Sequence, residues 1–535
     1  MGHQQICGEA LVRLLERYGA DTVFGIPGVH TLDLYRGFAN SKIRHVQSRH
    51  EQGAVFMADG YARASGKPGI CFLITGPGVT NGATGLGQAF ADSIPVLMIS
   101  SDTASYSRGK GWGCLHEITD QQAVTAPLTA FSATALSPDE VPQLIGQAYS
   151  VYDSGRPRPV HISVPIDVLA AATEADWQPR TPPSRPMPDA ARIQAAADLL
   201  AQAERPMLYL GGGAAKATAS AVEIAERLSA PVISSNAGKG IVPDSHPLCL
   251  GASIVRAPTQ EYLGQADVIL AAGTELSETD SFVERLEMGG KLIRVDIDAR
   301  KINDLYPADI GIHADAAATL GALSTALGER GASGARPAVQ DELAQVRARI
   351  DEGLNPVERQ HSAVWAAVRE ALPADGIVMG DTTQVVYTGS FAFPVEQPGC
   401  WIYPTGYCTL GAALPMAVGA KIAAPERPVM AVAGDGGFMF TLQDLATAVE
   451  QRVPLPIVLW NNDGLGQIRD DMIERGIPPV GVDSLNPDFV ALAKSFGCEG
   501  VRPGSTDELA AAIAGALEAP VPTLIEVRQD APWLG

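Results

Sequence analysis

The chain has 535 residues, which exceeds what one hydrophobic core usually holds and predicts about three domains. Hydrophobic residues make up 46% of it, with 55 Gly and 39 Pro, a composition of globular proteins and not of disordered or fibrous ones. The net charge of −21 disfavours nucleic acid as a partner, because phosphate contacts need clustered Lys and Arg.

Membrane contact is not expected either. No apolar stretch reaches the roughly 20 residues that span a bilayer, and the first residues lack the apolar core of a signal peptide. The seven cysteines are scattered and form no CxxC pair, so we expect reduced thiols. These features predict a cytoplasmic protein.

The first 175 residues alternate predicted helices and strands, the pattern of a doubly wound parallel sheet. A helix is predicted over residues 11–18, a strand over residues 22–24 and a turn over residues 25–28. Glu51 lies where a strand-like segment is followed by a helix, at the C-terminal edge of the predicted sheet. Taken alone, it is most simply a carboxylate of the first helical turn.

The middle third follows a Pro-rich segment, residues 176–188, that is typical of a linker. Residues 190–330 contain short buried strands followed by turns and predict a second α/β domain. Its glycines at 211–213 lack the full GxGxxG spacing of a dinucleotide site. A second linker is predicted over residues 331–345, and a third domain over residues 355–535.

The third domain contains the most informative stretch, residues 429–472. A buried strand is predicted to end in a glycine turn at residues 434–437, followed by a helix capped at its start by Thr441. A second strand ends at residues 461–462, so strand, helix and strand form a parallel pair. Asp435 and Asn462 then leave the same sheet edge, and one carboxylate with one amide oxygen suits Mg²⁺ that also binds phosphate oxygens.

Glycines surround this predicted metal site. Those at positions 436, 437, 464 and 466 let backbone N–H groups approach an anion. A helix predicted to begin near Leu465 turns its positive end to the same place. The site therefore suits a diphosphate.

This combination of Gly-Asp-Gly, helix, strand and Asn-Asn resembles the thiamine diphosphate signature of the family that contains pyruvate decarboxylase, benzoylformate decarboxylase and acetolactate synthase. The resemblance implies that Asp435, Asn462 and the carbonyl of Gly464 bind Mg²⁺. It also implies that Leu410 supports the bent cofactor and that the Cys408 carbonyl accepts from its 4′-amino group. The other cofactor-binding residues it implies are Gly28, Thr383, Gln384, Gly436, Gly437, Leu465 and Gly466.

The segment RHEQGAVFMADGYAR resembles the pyrimidine-binding motif of the same family. The resemblance implies that Glu51 hydrogen-bonds the N1′ nitrogen of the cofactor and is catalytic. Pyrimidine-binding, central and diphosphate-binding domains would then occupy residues 1–175, 190–330 and 355–535. In the family the outer domains meet at the cofactor between subunits, which implies a homodimer or homotetramer. The central domain holds FAD in some members, and we expect none here.

The cofactor implies a small 2-oxo acid substrate, whose CO₂ is lost before the remaining fragment is released as an aldehyde or joined to a second carbonyl compound. The loop RGKGWGCLHEITDQQ has one histidine, the catalytic candidate His116, where pyruvate decarboxylase has a pair. Val29 and Ile74 occupy the positions of the pocket serine and histidine of benzoylformate decarboxylase. The Phe-Gln-Glu motif of acetolactate synthase is not matched.

Gln467 and Asp471 are four residues apart on one predicted helix face. The resemblance implies that both face the substrate and that Gln467 is also a catalytic candidate. An acidic residue there suits a substrate with a distal cation, such as the guanidinium of 5-guanidino-2-oxopentanoate. The alternative is that Asp470 and Asp471 belong to a solvated helix start.

The segments GKGWGCLHEITDQQ and NPDFVALAKSFGCEGVR are most similar to the 5-guanidino-2-oxopentanoate decarboxylase branch. The predicted function is non-oxidative decarboxylation of that 2-oxo acid to an aldehyde and CO₂. An acetolactate synthase-like carboligase is the alternative. A catalytically silent binding protein is disfavoured, since Glu51, Asp435 and Asn462 are all present.

Overall fold

Three separate parallel β-sheets, each with helices on its faces, form the computed structural model of this protein, which describes residues 5–331 and 336–535. The first four residues of the predicted first domain and residues 332–335 of the predicted second linker lie outside the described residues. The prediction of three doubly wound α/β domains is confirmed. Their boundaries stay predictions.

The first sheet has six parallel strands in the order β2-β1-β3-β4-β6-β5. Its strands are β1 Thr22–Gly25, β2 Arg44–Gln47, β3 Gly69–Leu73, β4 Val96–Asp102, β5 Phe131–Thr134 and β6 Val160–Pro165. Its helices are α1 Cys7–Arg17, α2 Leu32–Tyr35, α3 Glu51–Ser65, α4 Pro77–Ala91, α5 Gln121–Thr125, α6 Val141–Ser154 and α7 Ile166–Leu169. Strands β3, β4 and β6 are buried at every residue, as expected for a parallel sheet covered on both faces.

The second sheet has five parallel strands in the order β11-β10-β9-β7-β8. They are β7 Pro206–Leu210, β8 Val232–Ser234, β9 Val268–Ala272, β10 Lys291–Asp296 and β11 Ile310–His313. The helices are α8 Ala190–Ala201, α9 Thr218–Leu228, α10 Ala257–Leu263, α11 Glu278–Ser281, α12 Ala316–Glu329 and α13 Val339–Glu352. A Cβ atom on Gly211 would lie 2.2 Å from the carbonyl oxygen of Gly273, so close packing of two loops explains a glycine there.

The third sheet has six parallel strands in the order β13-β12-β14-β15-β17-β16. They are β12 Ile377–Gly380, β13 Trp401–Ile402, β14 Val429–Gly434, β15 Pro456–Asn461, β16 Glu499–Val501 and β17 Thr523–Arg528. The helices are α14 Pro356–Ala371, α15 Gln384–Ala392, α16 Ala413–Ala423, α17 Asp435–Thr441, α18 Leu445–Glu450, α19 Gly466–Glu474, α20 Phe489–Ser495 and α21 Thr506–Glu518. Strands β14 and β15 are neighbours, as predicted.

The start of the helix after β14 was predicted wrongly. Helix α17 begins at Asp435 itself, so the glycines there do not form a turn, and Thr441 is its last residue and not a cap. The Thr441 hydroxyl instead donates to the carbonyl oxygen of Gly411, at 2.7 Å. The chain therefore passes directly from strand to helix, with Asp435 at the positive end of α17.

The first and third domains are joined by two helices that cross with their backbones in contact. A Cβ atom on Gly60 of α3 would lie 2.0 Å from the carbonyl oxygen of Met416 on α16. One on Gly419 of α16 would lie 1.9 Å from the carbonyl oxygen of Met57. Only glycine permits this crossing, which fixes the two domains of one chain against each other.

All seven cysteines are free thiols, as predicted. Within residues 5–331 and 336–535, no helix combines the length and the apolarity that crossing a bilayer requires.

Candidate active site

Asp435 and Asn462 lie side by side at the C-terminal edge of the third sheet. Gly434 of β14 pairs with Trp460 of β15, so the residues that follow the two strands leave the sheet together. Asp435 is almost fully buried, and its Oδ2 atom accepts a hydrogen bond from the backbone nitrogen of Gly464 at 2.9 Å. Burial raises the pKa of Asp435, and hydrogen bonds from Asn486 and from backbone nitrogens oppose that rise.

Three oxygen atoms converge at this edge. The side-chain oxygen of Asn462 faces the carbonyl oxygen of Gly464 at 2.8 Å and Oδ1 of Asp435 at 3.2 Å. With its amide group turned over, Asn462 would instead donate to both oxygens. Octahedral Mg²⁺ ligands at about 2.1 Å lie about 3 Å from one another, so the unturned arrangement fits that ion.

Asn486 supports the metal-site candidates and was not predicted. Its amide donates to Oδ2 of Asp435 at 2.6 Å and to the side-chain oxygen of Asn461 at 3.2 Å. The Asn461 amide in turn donates to the buried carboxylate of Glu526 at 2.7 Å. These contacts turn the second oxygen of Asp435 away from the cluster and leave its Oδ1 atom free to face Asn462.

The residues predicted to contact the diphosphate meet at the same edge. A Cβ atom on Gly466 would lie 2.3 Å from the Asn462 amide nitrogen and 2.7 Å from the Gln384 side-chain oxygen, so this glycine admits both. A Cβ atom on Gly434 would lie 2.7 Å from the Thr383 hydroxyl, and one on Gly436 would lie 3.0 Å from Leu465. The binding roles of these residues stay predictions.

Asp381 organises the loop that carries Cys408 and Leu410, and it too was not predicted. The residue follows β12 and is fully buried, and both its carboxylate oxygens accept from the backbone nitrogen of Gly411 at 3.0 Å. Burial raises its pKa to about 6, against the backbone N–H groups that favour the carboxylate. Cys408 has a left-handed backbone with φ of +52°, and Leu410 is half-buried.

Glu51 begins α3 at the C-terminal edge of the first sheet, where the sequence predicted it. Its Oε2 atom accepts a hydrogen bond from the side-chain amide of Asn81 on α4, at 3.0 Å. The preceding His50 caps the helix by accepting from the backbone nitrogen of Gln52. Glu51 is half-buried, and among the described residues it has no hydrogen bond with the third domain.

Gly28 and Ile74 touch at the same edge of the first sheet. A Cβ atom on Gly28 would lie 2.4 Å from Cδ1 of Ile74, and the adjacent Val29 is 60% exposed. His116 lies close by, because a Cβ atom on Gly76 would be 2.3 Å from its carbonyl oxygen. These contacts place Gly28, Val29, Ile74 and His116 together at one edge of the first sheet.

Gln467 and Asp471 occupy one face of α19, as predicted. The amide of Gln467 donates to Oδ1 of Asp471 at 3.0 Å, and Asp471 is half-buried. The Gln384 amide donates to Asp470 at 2.9 Å, which links this helix to the diphosphate candidates. Because α19 begins at Gly466, the two aspartates lie in its second turn. No residue of this helix is buried, so the alternative that Asp470 and Asp471 are solvated stays open.

Comparison with known families explains this arrangement. The model of the N-terminal TPP binding domain of thiamine pyrophosphate enzymes matches residues 7–124, and that of the C-terminal TPP binding domain matches residues 381–527. The central-domain model of the same family matches residues 193–323. The chain belongs to the thiamine pyrophosphate enzymes. The resemblance drawn from the sequence is confirmed, and thiamine diphosphate, the same compound, is the cofactor.

Individual thiamine pyrophosphate enzymes are similar over nearly the whole chain. A probable 2-ketoarginine decarboxylase, AruI, of Pseudomonas aeruginosa is 54% identical over 97% of this chain and 93% of its own length. The acetolactate synthase isozyme 1 large subunit of Escherichia coli is 31% identical, over 98% of this chain and 94% of its own. An acetolactate synthase large subunit of Corynebacterium glutamicum is also 31% identical, over 95% and 84%.

Proposed function

We propose that this thiamine pyrophosphate enzyme decarboxylates 5-guanidino-2-oxopentanoate to 4-guanidinobutanal and CO₂, with Mg²⁺ holding the cofactor. The observation that carries the proposal is the half-buried carboxylate of Asp471 beside the diphosphate candidates. The relative at 54% identity supports it, because 2-ketoarginine is 5-guanidino-2-oxopentanoate.

The surroundings of Asp471 suit a guanidinium group. Its Oδ1 atom accepts from Gln467, which leaves Oδ2 for a second donor. Burial raises the pKa of Tyr387, and Cys408, Asp381 and Asp471 add to that rise through their charges, so an aromatic side chain shares the electrostatic environment of Asp471. A planar guanidinium can contact a carboxylate through two N–H groups and stack on an aromatic ring.

Magnesium is supported by the converging oxygens of Asp435, Asn462 and Gly464. Within the described residues no three His, Cys, Asp or Glu side chains gather as metal ligands. One carboxylate and two neutral oxygens offset only part of the Mg²⁺ charge. The ion can therefore also bind phosphate oxygens, which are its common ligands beside a few protein groups.

Residues at the edges of the first and third sheets would have different roles in the reaction. When bound, thiamine diphosphate accepts the electron pair as CO₂ leaves the 2-oxo acid. Glu51 would hold a proton at the N1′ nitrogen of the cofactor, with Asn81 fixing its carboxyl group. Asp381 would hold the loop that places Leu410 under the cofactor and turns the Cys408 carbonyl to the 4′-amino group.

A homodimer, or a homotetramer built from it, would complete the site. Glu51 and the third-domain candidates share no hydrogen bond within the described residues of one chain, so a second chain would bring them together. Large apolar side chains are exposed on both domains beside these edges, as at subunit interfaces. They include Val29, Leu32, Tyr106, Trp112, Leu115, Tyr407, Met439, Phe440, Ile468 and Ile473.

Light scattering tests the assembly. The wild type should have at least twice the mass of one chain, and Phe440→Glu, with a side chain 56% exposed on α17, should shift towards monomer and lose activity. Met187→Glu is the matched control, because Met187 is 72% exposed in the linker away from these edges. A fully active monomer would contradict the proposal. The cytoplasmic location and the absence of FAD and nucleic acid stay predictions.

A panel of 2-oxo acids tests the substrate. Purified holoenzyme is given 5-guanidino-2-oxopentanoate, pyruvate, benzoylformate and a branched-chain 2-oxo acid, and CO₂, aldehyde and acetohydroxy acid are measured. The cationic substrate should have the highest kcat/KM. Asp471→Asn should lose roughly ten- to a hundredfold on it alone, since a hydrogen bond to a charged group contributes about 1.5–3 kcal/mol.

Glu474→Gln is the matched control, because it removes an exposed carboxylate from the end of the same helix. Equal loss on every substrate would assign Asp471 a structural role. Acetolactate as the main product from pyruvate would favour the carboligase alternative, which the acetolactate synthase relatives support at lower identity.

A further inference from the structure

The third-domain loop of residues 405–411, which holds two of the cofactor candidates, also contacts the first domain. The side-chain oxygen of Gln88, on α4, accepts from the backbone nitrogen of Thr409 at 3.3 Å and from the Thr409 hydroxyl at 3.0 Å. Asp92, the residue after α4, accepts from the backbone nitrogen of Gly406 at 3.0 Å. The end of one first-domain helix therefore holds this loop at two points.

The amide group of Gln88 can face the loop in only one orientation. Gln88 is fully buried, and its amide nitrogen donates to Oδ2 of Asp92 at 3.0 Å. The Arg63 guanidinium contacts the same oxygen at 2.7 Å and the fully buried Asp59 at 2.5 Å. Because the nitrogen of Gln88 faces a carboxylate, its oxygen must face Thr409. A buried network with matched donors and acceptors of this kind holds one arrangement.

Close packing also brings the loop against the end of α4. A Cβ atom on Gly406 would lie 2.7 Å from Oδ1 of Asp92 and 2.9 Å from the Cβ atom of Ala91, which cannot rotate away. A side chain at position 406 would therefore push the loop off the helix. The glycine permits the hydrogen bond that Asp92 accepts from this position.

Cys408 has a backbone conformation that depends on such support. Its φ of +52° is left-handed, and a residue other than glycine keeps this conformation only where the surrounding structure determines it. The backbone nitrogens two residues before it, one after it and three after it all donate to side chains outside the loop. One of these side chains is Asp381 of the same domain, and the other two belong to the first domain. Both domains therefore determine where the Cys408 carbonyl points.

We propose that Gln88 is a positioning residue for the cofactor, because it keeps the Cys408 carbonyl directed at the 4′-amino group of thiamine diphosphate. The inference rests on the proposed function, in which that carbonyl accepts from the amino group. Gln88 acts through Thr409, the residue after Cys408, and touches neither cofactor nor substrate. Asp92 and Arg63 act one step further away by holding the Gln88 amide.

A cofactor analogue without the amino group separates positioning from general support of the fold. In 4′-deamino-thiamine diphosphate a hydrogen atom replaces the 4′-amino group, while both rings and the diphosphate are retained. The Cys408 carbonyl can accept a hydrogen bond only from the natural cofactor. The ratio of the two dissociation constants therefore measures this one contact, whereas a general loosening of the site would weaken both compounds equally.

The apoenzyme is titrated with each compound in the presence of Mg²⁺, and calorimetry gives the two dissociation constants. Gln88→Met keeps a side chain of similar size and removes its hydrogen-bonding groups. It should lower the preference for thiamine diphosphate over the analogue by roughly three- to tenfold, the size of one neutral hydrogen bond. Gln147→Met is the matched control, because it replaces an exposed glutamine on α6 of the same domain, and it should keep the wild-type preference.

Thr409→Val tests the same contact from the third domain and covers the case in which Gln88→Met does not fold. It removes only the hydroxyl that donates to Gln88. The preference for thiamine diphosphate should fall in this variant, and Thr409→Ser, which keeps the hydroxyl, should restore it. The double variant of Gln88→Met and Thr409→Val should lose no more than Gln88→Met alone, because the two residues share one contact.

The outcomes separate this inference from the function on which it rests. Equal weakening of both compounds in Gln88→Met would give Gln88 a structural role only, and no weakening of either would give it none. Equal binding of the two compounds by the wild type would also overturn the inference, because the amino group would then not be recognised. The proposed function is judged separately, since a wild type that decarboxylates no 2-oxo acid refutes it whatever the binding ratio is.

Discussion

The carboxylate of Asp444, in the third domain, accepts a hydrogen bond from the backbone nitrogen of Arg49, two residues before Glu51, at 3.0 Å. Its other oxygen is buried and has no hydrogen-bond partner within the described residues, and a Cβ atom on Gly53 would lie 2.0 Å from it. One chain therefore joins the start of the Glu51 helix to the segment that follows the metal-site helix. Burial raises the pKa of Asp444 to about 7.

Stability should consequently fall as pH rises through this carboxyl group. Its folded-state pKa lies above the unfolded value of about 3.9, so its contribution is fully present below pH 4 and is lost by about pH 7. A shift of about three pKa units corresponds to a loss of about 4 kcal/mol in the free energy of unfolding over this pH range. Asp444→Asn should flatten the pH dependence of the apparent melting temperature between pH 4 and 7. Parallel curves for Asp444→Asn, wild type and the exposed control Asp153→Asn would contradict this assignment.

Asp435→Ala should abolish Mg²⁺-dependent binding of thiamine diphosphate, because the oxygens of Asn462 and Gly464 carry no charge to offset the ion. Calorimetry with cofactor and Mg²⁺ measures the loss. Asn486→Ala, which removes only the donor to Asp435, should weaken metal affinity by about 10- to 100-fold, as for other residues that orient a ligand. The exposed control Asp507→Ala should bind as wild type. Undiminished cofactor affinity in Asp435→Ala would show the metal assignment to be wrong.

Glu51→Gln should retain cofactor binding and lose about 10²–10⁴-fold in turnover, the usual contribution of a general acid–base group. The substituted amide can still accept from Asn81, so the helix start should not change. Steady-state kinetics on the best 2-oxo acid and a cofactor titration are the two measurements. Near-normal turnover would remove Glu51 from the mechanism, and lost cofactor binding would make it a binding residue only.

Asp381→Asn should weaken thiamine diphosphate binding by roughly ten- to a hundredfold, because a hydrogen bond to a charged group contributes about 1.5–3 kcal/mol. An amide NH₂ would face the backbone nitrogen of Gly411, which is also a donor, so the loop with Cys408 and Leu410 would shift. Cofactor titration followed by tryptophan fluorescence measures the affinity. Asp375→Asn, an exposed carboxylate six residues earlier, is the control, and equal affinity in both variants would refute the role.

The parallel strands and the meeting of Asp435 with Asn462 could be predicted because both follow from local patterns. Buried strands, their order and the residues at their ends depend on short sequence segments and on parallel-sheet geometry. The same holds for Glu51, which was found at the first residue of its helix. The resemblance to the thiamine diphosphate family was carried by the residues of these same segments.

The supporting residues could not be predicted because their contacts join distant segments. Asn486 reaches Asp435 across 51 positions, and Asp381 reaches Gly411 across 30. The turn predicted at residues 434–437 failed for a related reason. A Cβ atom on Gly437 would lie 3.1 Å from the Asp381 carboxylate. Gly437 lies within a helix, and this tertiary contact, not turn geometry, explains why it is a glycine. A polar residue directly after a buried strand, as Asp381 is after β12, is the signal that could have been used.

The crossing of α3 and α16 has a consequence for how the enzyme takes up its cofactor. With the carbonyl oxygens of Met57 and Met416 against Gly419 and Gly60, the outer domains of one chain cannot open like a hinge without separating two backbones. The proposed site between two chains must therefore admit thiamine diphosphate without a hinge motion inside either chain, past surface segments such as the His116 loop and α19. Loading should be gated by the ordering of those short segments, and a crosslink between α3 and α16 should leave its rate unchanged.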